Sequence, residues 1–163
     1  MLFRSIVPYS LSGTHVIRDA SCAQCEDMTK KFEQKVARDL WGDARTGFQQ
    51  PTRRKKERRT HIEMPEVSGQ SVQLVPAGEY PAGFVFYKMG PCGLLQGVPE
   101  TMDISHSWQL VVIDDDRRRD GFFKKHGHHA VLKFRHVPED FGRLLAKIAY
   151  CQVLTALDRK SVV

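Results

Sequence analysis

The first third of the chain contains apolar residues spaced with the period of a helix. Residues four apart are apolar while the positions between them are mostly polar or charged, and the apolar set comprises Met28, Phe32, Val36, Ala37, Leu40 and Trp41. Such spacing places these side chains on one face of an α-helix. We therefore predict an amphipathic helix that has Asp27 in its first turn and ends at Gly42.

A different pattern begins after residue 60. Short runs rich in β-branched and aromatic residues alternate with glycine and proline, which predicts strands at 72–75, 84–89, 109–113 and 130–135. The acidic and basic run at 114–121 is predicted to be a charged loop. Pro138 then opens a last helix, whose apolar face is formed by Phe141, Leu144, Leu145, Ile148 and Cys151. Four aromatic residues are expected in the core, namely Trp41, Phe84, Phe86 and Trp108.

Together these patterns predict an α+β protein built from two units. Residues 6–43 would form a short extended run, a polar loop at 19–25 and the first helix, whereas residues 61–157 would form a mixed α+β domain with a C-terminal helix. Residues 44–60 would link the two as a basic arm or linker, with loop or frayed helix in place of regular structure. A chain of 163 residues has room for two modest units. We expect the second unit to fold largely without the first.

The positive charge is concentrated in the linking segment. Residues 44–60 contain seven basic residues against one acid, Glu57, and so account for the whole formal charge of +6. The seven are Arg45, Arg53, Arg54, Lys55, Lys56, Arg58 and Arg59. A local cluster of cations attracts phosphates more strongly than the same charge dispersed. The segment is predicted to contact DNA through backbone phosphates without reading sequence, the alternative being a solvated linker.

Two of the four cysteines lie close together. Cys22 and Cys25 form a Cys-x-x-Cys pair just before the first predicted helix, the usual setting of a zinc knuckle, while Cys92 and Cys151 are isolated. In a reducing compartment such a pair indicates metal or redox chemistry rather than a disulfide framework. Two thiolates fill two corners of a tetrahedral site, so the sequence predicts half of a structural zinc site. Two loop cysteines without a metal are the alternative.

The order of these pieces resembles the middle of the cysteine-rich HNH endonucleases. The matching pieces are Ile6-Val7-Pro8, Ser10-Leu11-Ser12-Gly13, the pair Cys22-x-x-Cys25 and the helix after it, so the resemblance covers residues 6–60. It implies a partial treble-clef-like zinc module in front of the α+β domain. It also implies a DNA-binding parent protein that hydrolyses phosphodiesters with a histidine as general base and a divalent cation such as magnesium.

The chain departs from the family's pattern at the positions that catalyse. In the family a first Cys-x-x-Cys and an acidic-His pair lie directly before the Ile-Val-Pro stretch, so the histidine would fall at or beside Ser5 and the first cysteine pair upstream of Met1. Glu26 stands where the family often has asparagine, and the family's last metal-binding histidine has no clear match. The resemblance therefore implies an inactive fragment, and no catalytic residue is predicted.

Two further hypotheses remain open from the sequence. In the first, the parent is a non-catalytic, zinc-containing protein that binds DNA or has a regulatory role. The presence of Glu26 where the family often has asparagine slightly favours this hypothesis. The other is an unrelated α+β enzyme that holds a metal with Asp114–Asp116 and His126–His129. That enzyme would bind metal tightly even after deletion of residues 1–60.

Both ends of the chain can be read as translated sequencing adapter. Leu2-Phe3-Arg4-Ser5 can be encoded by CTC-TTC-CGA-TCT, and Asp158-Arg159-Lys160-Ser161 by GAT-CGG-AAG-AGC, which contains the reverse complement of most of that string. We expect residues 1–5 and 158–163 to be such remnants. Neither a secretory signal nor an apolar run of about 20 residues is present, so a cytoplasmic protein without a membrane span is expected.

Overall fold

The secondary structure of the chain is mixed, as predicted for an α+β protein. The computed structural model describes residues 4–17, 21–65, 71–127 and 133–158. Its helices are α1 (Ala23–Lys35), α2 (Gly42–Gly47), α3 (Asp116–His126) and α4 (Pro138–Asp158). Its strands are β1 (Arg4–Ser5), β2 (Val16–Ile17), β3 (His61–Pro65), β4 (Val72–Pro76), β5 (Gly83–Lys88) and β6 (Gln109–Asp114).

The described strands pair in three antiparallel, two-stranded sheets. β1 pairs with β2, β3 with β4, and β5 with β6. The strands predicted at 72–75, 84–89 and 109–113 are confirmed as β4, β5 and β6. β3 is not predicted, although its buried residues Ile62 and Met64 alternate with exposed ones as in a strand that is buried on one face.

The first helix differs from its prediction at both ends. It begins at Ala23, with Cys22 as its N-cap, so the predicted loop at 19–25 is too long. Regular α-helix ends at Lys35, and Val36–Leu40 form a π turn in which the Trp41 N–H donates to the Val36 carbonyl at 3.1 Å. Helix α2 then starts at Gly42, where the prediction ended. Met28 is 53% exposed, because contact with the core begins one turn later, at Phe32.

The larger hydrophobic cluster combines residues from both predicted units. Its buried members are Val36, Leu40, Trp41, Val85, Tyr87, Val137, Phe141 and Leu144, with Phe84, Phe86 and Trp108 packed against them. Trp41 is buried in the core as predicted, whereas Phe84, Phe86 and Trp108 are half-buried at its edge. A second cluster lies between β3, β4 and α3, around Tyr80 and Phe122. This first cluster contains residues from both sides of segment 44–60. Independent folding of the second unit stays a prediction.

Residues 114–121 lie in the end of β6 and the first half of α3, and the predicted loop is wrong. The Asp115 side chain caps α3 by accepting from the Arg118 N–H at 3.2 Å. Arg119 pairs with Asp114 at 2.8 Å and with Asp116 at 2.7 Å. An acidic N-cap and the i,i+3 ion pair between Asp116 and Arg119 stabilise a helix that has little apolar periodicity.

The strand predicted at 130–135 is not found in its described part, residues 133–135. Residues 130–132 lie outside the described residues, and 133–135 have no regular secondary structure. The Arg135 N–H instead donates to the Asp39 carbonyl of the π turn, at 2.7 Å. This part of the chain therefore bonds to the segment after α1 rather than to a neighbouring strand.

The predicted C-terminal helix is confirmed as α4, and it packs along α1. Phe141, Leu144 and Cys151 are buried as predicted, Ile148 is half-buried, and Leu145 is exposed. On the same helix the buried Lys147 ammonium donates to the Ser5 and Ile6 carbonyls and pairs with Glu33 of α1 at 3.2 Å. None of the helices in the described segments is long and apolar enough to cross a membrane.

Candidate nucleic-acid interface

A cleft of about 870 Å³ opens between α1, the turn at Tyr9–Leu11 and the first part of the basic segment. Its walls carry five cationic side chains: Lys30, Arg38, Arg45, Arg53 and Arg54. Two of them belong to α1 and the π turn that follows it, and three belong to residues 44–60. The structure thus joins the helix after the cysteine pair and the basic segment in one concave surface.

Hydrogen bonds between distant residues build the cleft. The Arg45 Nε–H donates to the Ser10 carbonyl at 2.9 Å, and its Nη1–H donates to the Ala37 carbonyl at 3.0 Å. Burial lowers the pKa of the Arg45 guanidinium. The Ser12 hydroxyl donates to Gln50 Oε1 at 2.6 Å. These bonds fix the turn at residues 9–11 against the start of the basic segment, so the walls are held in place before any ligand binds.

Three carboxylates also line the cleft, and each has a cationic partner. Glu26 pairs with Lys30 at 2.7 Å, and Glu57 pairs with Arg54 at 3.2 Å. Glu33 pairs with Lys147, a residue of α4 that does not line the cleft. The lining therefore carries more positive than negative charge, and the exposed side chains of Arg38 and Arg53 present part of the surplus.

The structure separates the seven predicted phosphate-binding residues into three groups. Arg53 and Arg54 are exposed and line the cleft. Arg45 also lines it but is half-buried, and its guanidinium donates to the Ser10 and Ala37 carbonyls. The other four are exposed just beyond the cleft, in or next to the 3-10 turn at Lys55–Glu57; they are Lys55, Lys56, Arg58 and Arg59. Arg58 also donates to the Gln50 carbonyl at 3.1 Å.

The cysteine pair lies at the start of α1, with both side chains exposed. The Cys22 Sγ accepts from the Cys25 N–H at 3.5 Å, and this hydrogen bond lowers the pKa of the Cys22 thiol. Among the residues that the structure describes, no group of three or more His, Cys, Asp or Glu side chains could hold a metal ion. Asp19, at the start of the predicted loop at 19–25, lies outside the described residues. A zinc site at Cys22 and Cys25 therefore stays a prediction.

The described residues of the alternative metal site make other contacts. Asp115 caps α3, and Asp114 and Asp116 pair with Arg119. His126 stacks on Phe122 with ring centroids 4.6 Å apart, and its Nε2 has no hydrogen-bond partner in the described part of the chain. His128 and His129 lie outside the described residues. The described members of this set therefore give no support to a metal enzyme.

Zinc is expected to bind weakly to this chain, because two thiolates leave two coordination positions to water or buffer. Competition with a chromogenic zinc chelator would measure the affinity. Replacing both Cys22 and Cys25 with serine should remove the weak binding, whereas Cys92→Ser, at an exposed and isolated cysteine, should leave it unchanged. Tight, stoichiometric zinc in the unmodified chain would contradict the half site.

The cleft residues that are not predicted from the sequence include Tyr9, Lys30 and Arg38. Lys30 and Arg38 occur in a helix whose polar face carries many charges, and Tyr9 is one aromatic residue in a short turn, so no local pattern marks them. Comparison of the chain with protein-family models, with curated proteins and with solved structures finds no match.

Proposed function

We propose that this chain binds DNA through its backbone phosphates, as a relative of the HNH endonucleases that contributes binding rather than cleavage. The cleft carries the proposal, because it places Arg53 and Arg54 of the basic segment beside Arg38 and Lys30 of the helical segment that follows the cysteine pair. Several cations on one surface release counterions when they neutralise phosphates, and this release is the main source of sequence-independent affinity.

The cysteine pair has a structural role in this proposal. Cys22 and Cys25 supply two thiolates at the first turn of α1, and a zinc ion bound there would hold the start of the helix that forms one wall of the cleft. Thiols at an exposed position suit a reducing compartment, so a cytoplasmic location belongs to the proposal. No catalytic role is assigned, because the position of the family's general base falls at or beside Ser5. In the leading proposal the parent protein would hydrolyse phosphodiesters with a divalent cation. In the alternative, the parent is itself a non-catalytic, zinc-containing protein that binds DNA or has a regulatory role.

Removing four cations from the basic segment is expected to flatten the salt dependence of DNA affinity. The variant replaces Arg53, Arg54, Lys55 and Lys56 with alanine. Each phosphate contact contributes about 0.9 to the slope of log affinity against log salt concentration, so losing four lowers the slope by up to ~3.6. Fluorescence anisotropy of a labelled duplex in a series of salt concentrations measures this slope.

A second variant separates local contacts from net charge. It replaces four exposed cations that do not line the cleft with alanine, namely Lys31, Lys88, Arg117 and Lys124. The change in net charge is the same, but the slope should stay close to that of the unmodified chain. An unchanged slope in the first variant, or an equal loss in both, would remove the basic segment from the proposal.

A further inference from the structure

We propose that the cleft holds a single strand of DNA and that one base of this strand stacks on Tyr9; the inference rests on the proposed function. Tyr9 lines the cleft together with the cations, and its side chain is 44% exposed. Proteins that bind single strands combine a cationic groove along the backbone with aromatic rings on which bases stack. The cleft contains both elements.

Two backbone hydrogen bonds within the turn that carries Tyr9, and a third from Arg45, hold it in place. The Leu11 N–H donates to the Pro8 carbonyl at 2.8 Å, and the Ser12 N–H donates to the Tyr9 carbonyl at 3.0 Å. The Arg45 Nε–H donates to the Ser10 carbonyl at 2.9 Å. A ring on a fixed backbone loses less conformational entropy on binding than one on a mobile loop, so the turn suits a stacking platform.

The shape of the cleft favours a single strand over a duplex. In a duplex the bases stack on one another between the two backbones, so a ring on the wall of a concave site reaches none of their faces. The cleft, at about 870 Å³, has the size of a pocket for small ligands, which is roughly 300–1,000 Å³, and therefore suits unpaired nucleotides. The exposed Lys55 and Lys56 just beyond it can neutralise the phosphates that follow.

The carboxylates of the lining do not oppose an anionic strand with their full charge. Glu26 and Glu57 each lie against a cation of the same lining, and Glu33 lies against Lys147. Arg38 and Arg53 lie on the same lining as Tyr9, so one strand can meet both cations while a base covers the ring.

Fluorescence anisotropy with labelled oligo-dT, and with the same strand in a duplex, tests the inference. Tyr9→Ala should weaken binding of the single strand about 5- to 150-fold, which corresponds to the ~1–3 kcal/mol of one stacked base. Its effect on the duplex should be much smaller. Tyr9→Phe keeps the ring and should recover most of the loss. Tyr150→Ala removes a more exposed tyrosine from α4, outside the cleft, and should leave both affinities unchanged.

The outcomes distinguish the inference from the proposed function. If Tyr9→Ala leaves the affinity for oligo-dT unchanged while the four-alanine variant of the basic segment loses its salt dependence, stacking is wrong and backbone binding stands. Equal weakening of both DNA forms by Tyr9→Ala, or a failure of Tyr9→Phe to recover affinity, also overturns stacking. Tighter, Tyr9-dependent binding of oligo-U would assign the cleft to RNA and overturn the choice of DNA. If the four-alanine variant changes neither DNA form, the proposed function itself fails.

Discussion

Replacing Trp41 with alanine is expected to lower the free energy of unfolding by about 3–5 kcal/mol, the range for truncating a large buried aromatic residue. Trp41 is 4% exposed, and its ring lies 5.5–5.9 Å from those of Phe84, Phe86 and Phe141. Its Nε1–H donates to the Val85 carbonyl at 2.6 Å. Truncation therefore opens a cavity and leaves a buried carbonyl without its donor. Urea denaturation followed by far-UV circular dichroism measures the loss.

The same variant tests whether the chain folds as one unit or two. The chain has two tryptophans, so in the Trp41→Ala variant the fluorescence comes from Trp108, which packs on Tyr87 of β5. If the core is shared, the midpoints of the fluorescence and dichroism transitions should shift together to a lower urea concentration. Two independent units would leave the Trp108 transition at its original midpoint. Trp41→Phe keeps most of the packing but not the hydrogen bond, and should cost less than alanine.

Helix α4 and strand β5 are predicted from the sequence, and each of them buries one regular face. In α4, Phe141 and Leu144 recur with a helical period because that face packs on the core, and the periodicity is visible without knowing the partner. The same reasoning finds β5, where Val85 and Tyr87 point inward. It fails at Met28, because the pattern shows which residues share a face but not how far along the helix the packing extends.

Helix α3 shows the limit of periodicity. Its stability near the N-terminus comes from Asp115 and from the pairs of Arg119 with Asp114 and Asp116. The same residue types are common in charged loops, so composition alone does not distinguish a capped helix from a loop. Only the spacing of the cap and of the Asp116–Arg119 pair carries the signal, and such short patterns occur often by chance.

The candidate site was predictable in charge but not in shape. Exposed basic residues at 53–59 follow from the sequence, because cations in such density stay in contact with water. The cleft depends on bonds between residues that are far apart in the chain, such as Arg45 to Ser10 and Ser12 to Gln50. No local pattern encodes these contacts, so the position of Tyr9 beside the cations emerges only from the fold.

Replacing Lys147 with alanine is expected to lower the free energy of unfolding by about 3–5 kcal/mol, the cost of removing one partner from a buried ion pair. The Lys147 side chain is 7% exposed and that of its partner Glu33 is 19% exposed. Its ammonium also donates to the Ser5 and Ile6 carbonyls. Alanine takes this donor away from all three acceptors. Urea denaturation of the purified variant measures the loss.

Lys35→Ala provides the matched control, because Lys35 also joins α1 to α4 through an acid, Asp140, at 2.6 Å. The Lys35 side chain is 51% exposed, so water screens the pair and the expected loss is about 0–1 kcal/mol. Combining Lys147→Met with Glu33→Gln removes both charges and should recover part of the loss. Equal losses in Lys147→Ala and Lys35→Ala would show that burial does not strengthen the Lys147 contacts. Because Lys147 anchors the strand that leads to the turn of Tyr9, its removal should also weaken DNA binding in the cleft.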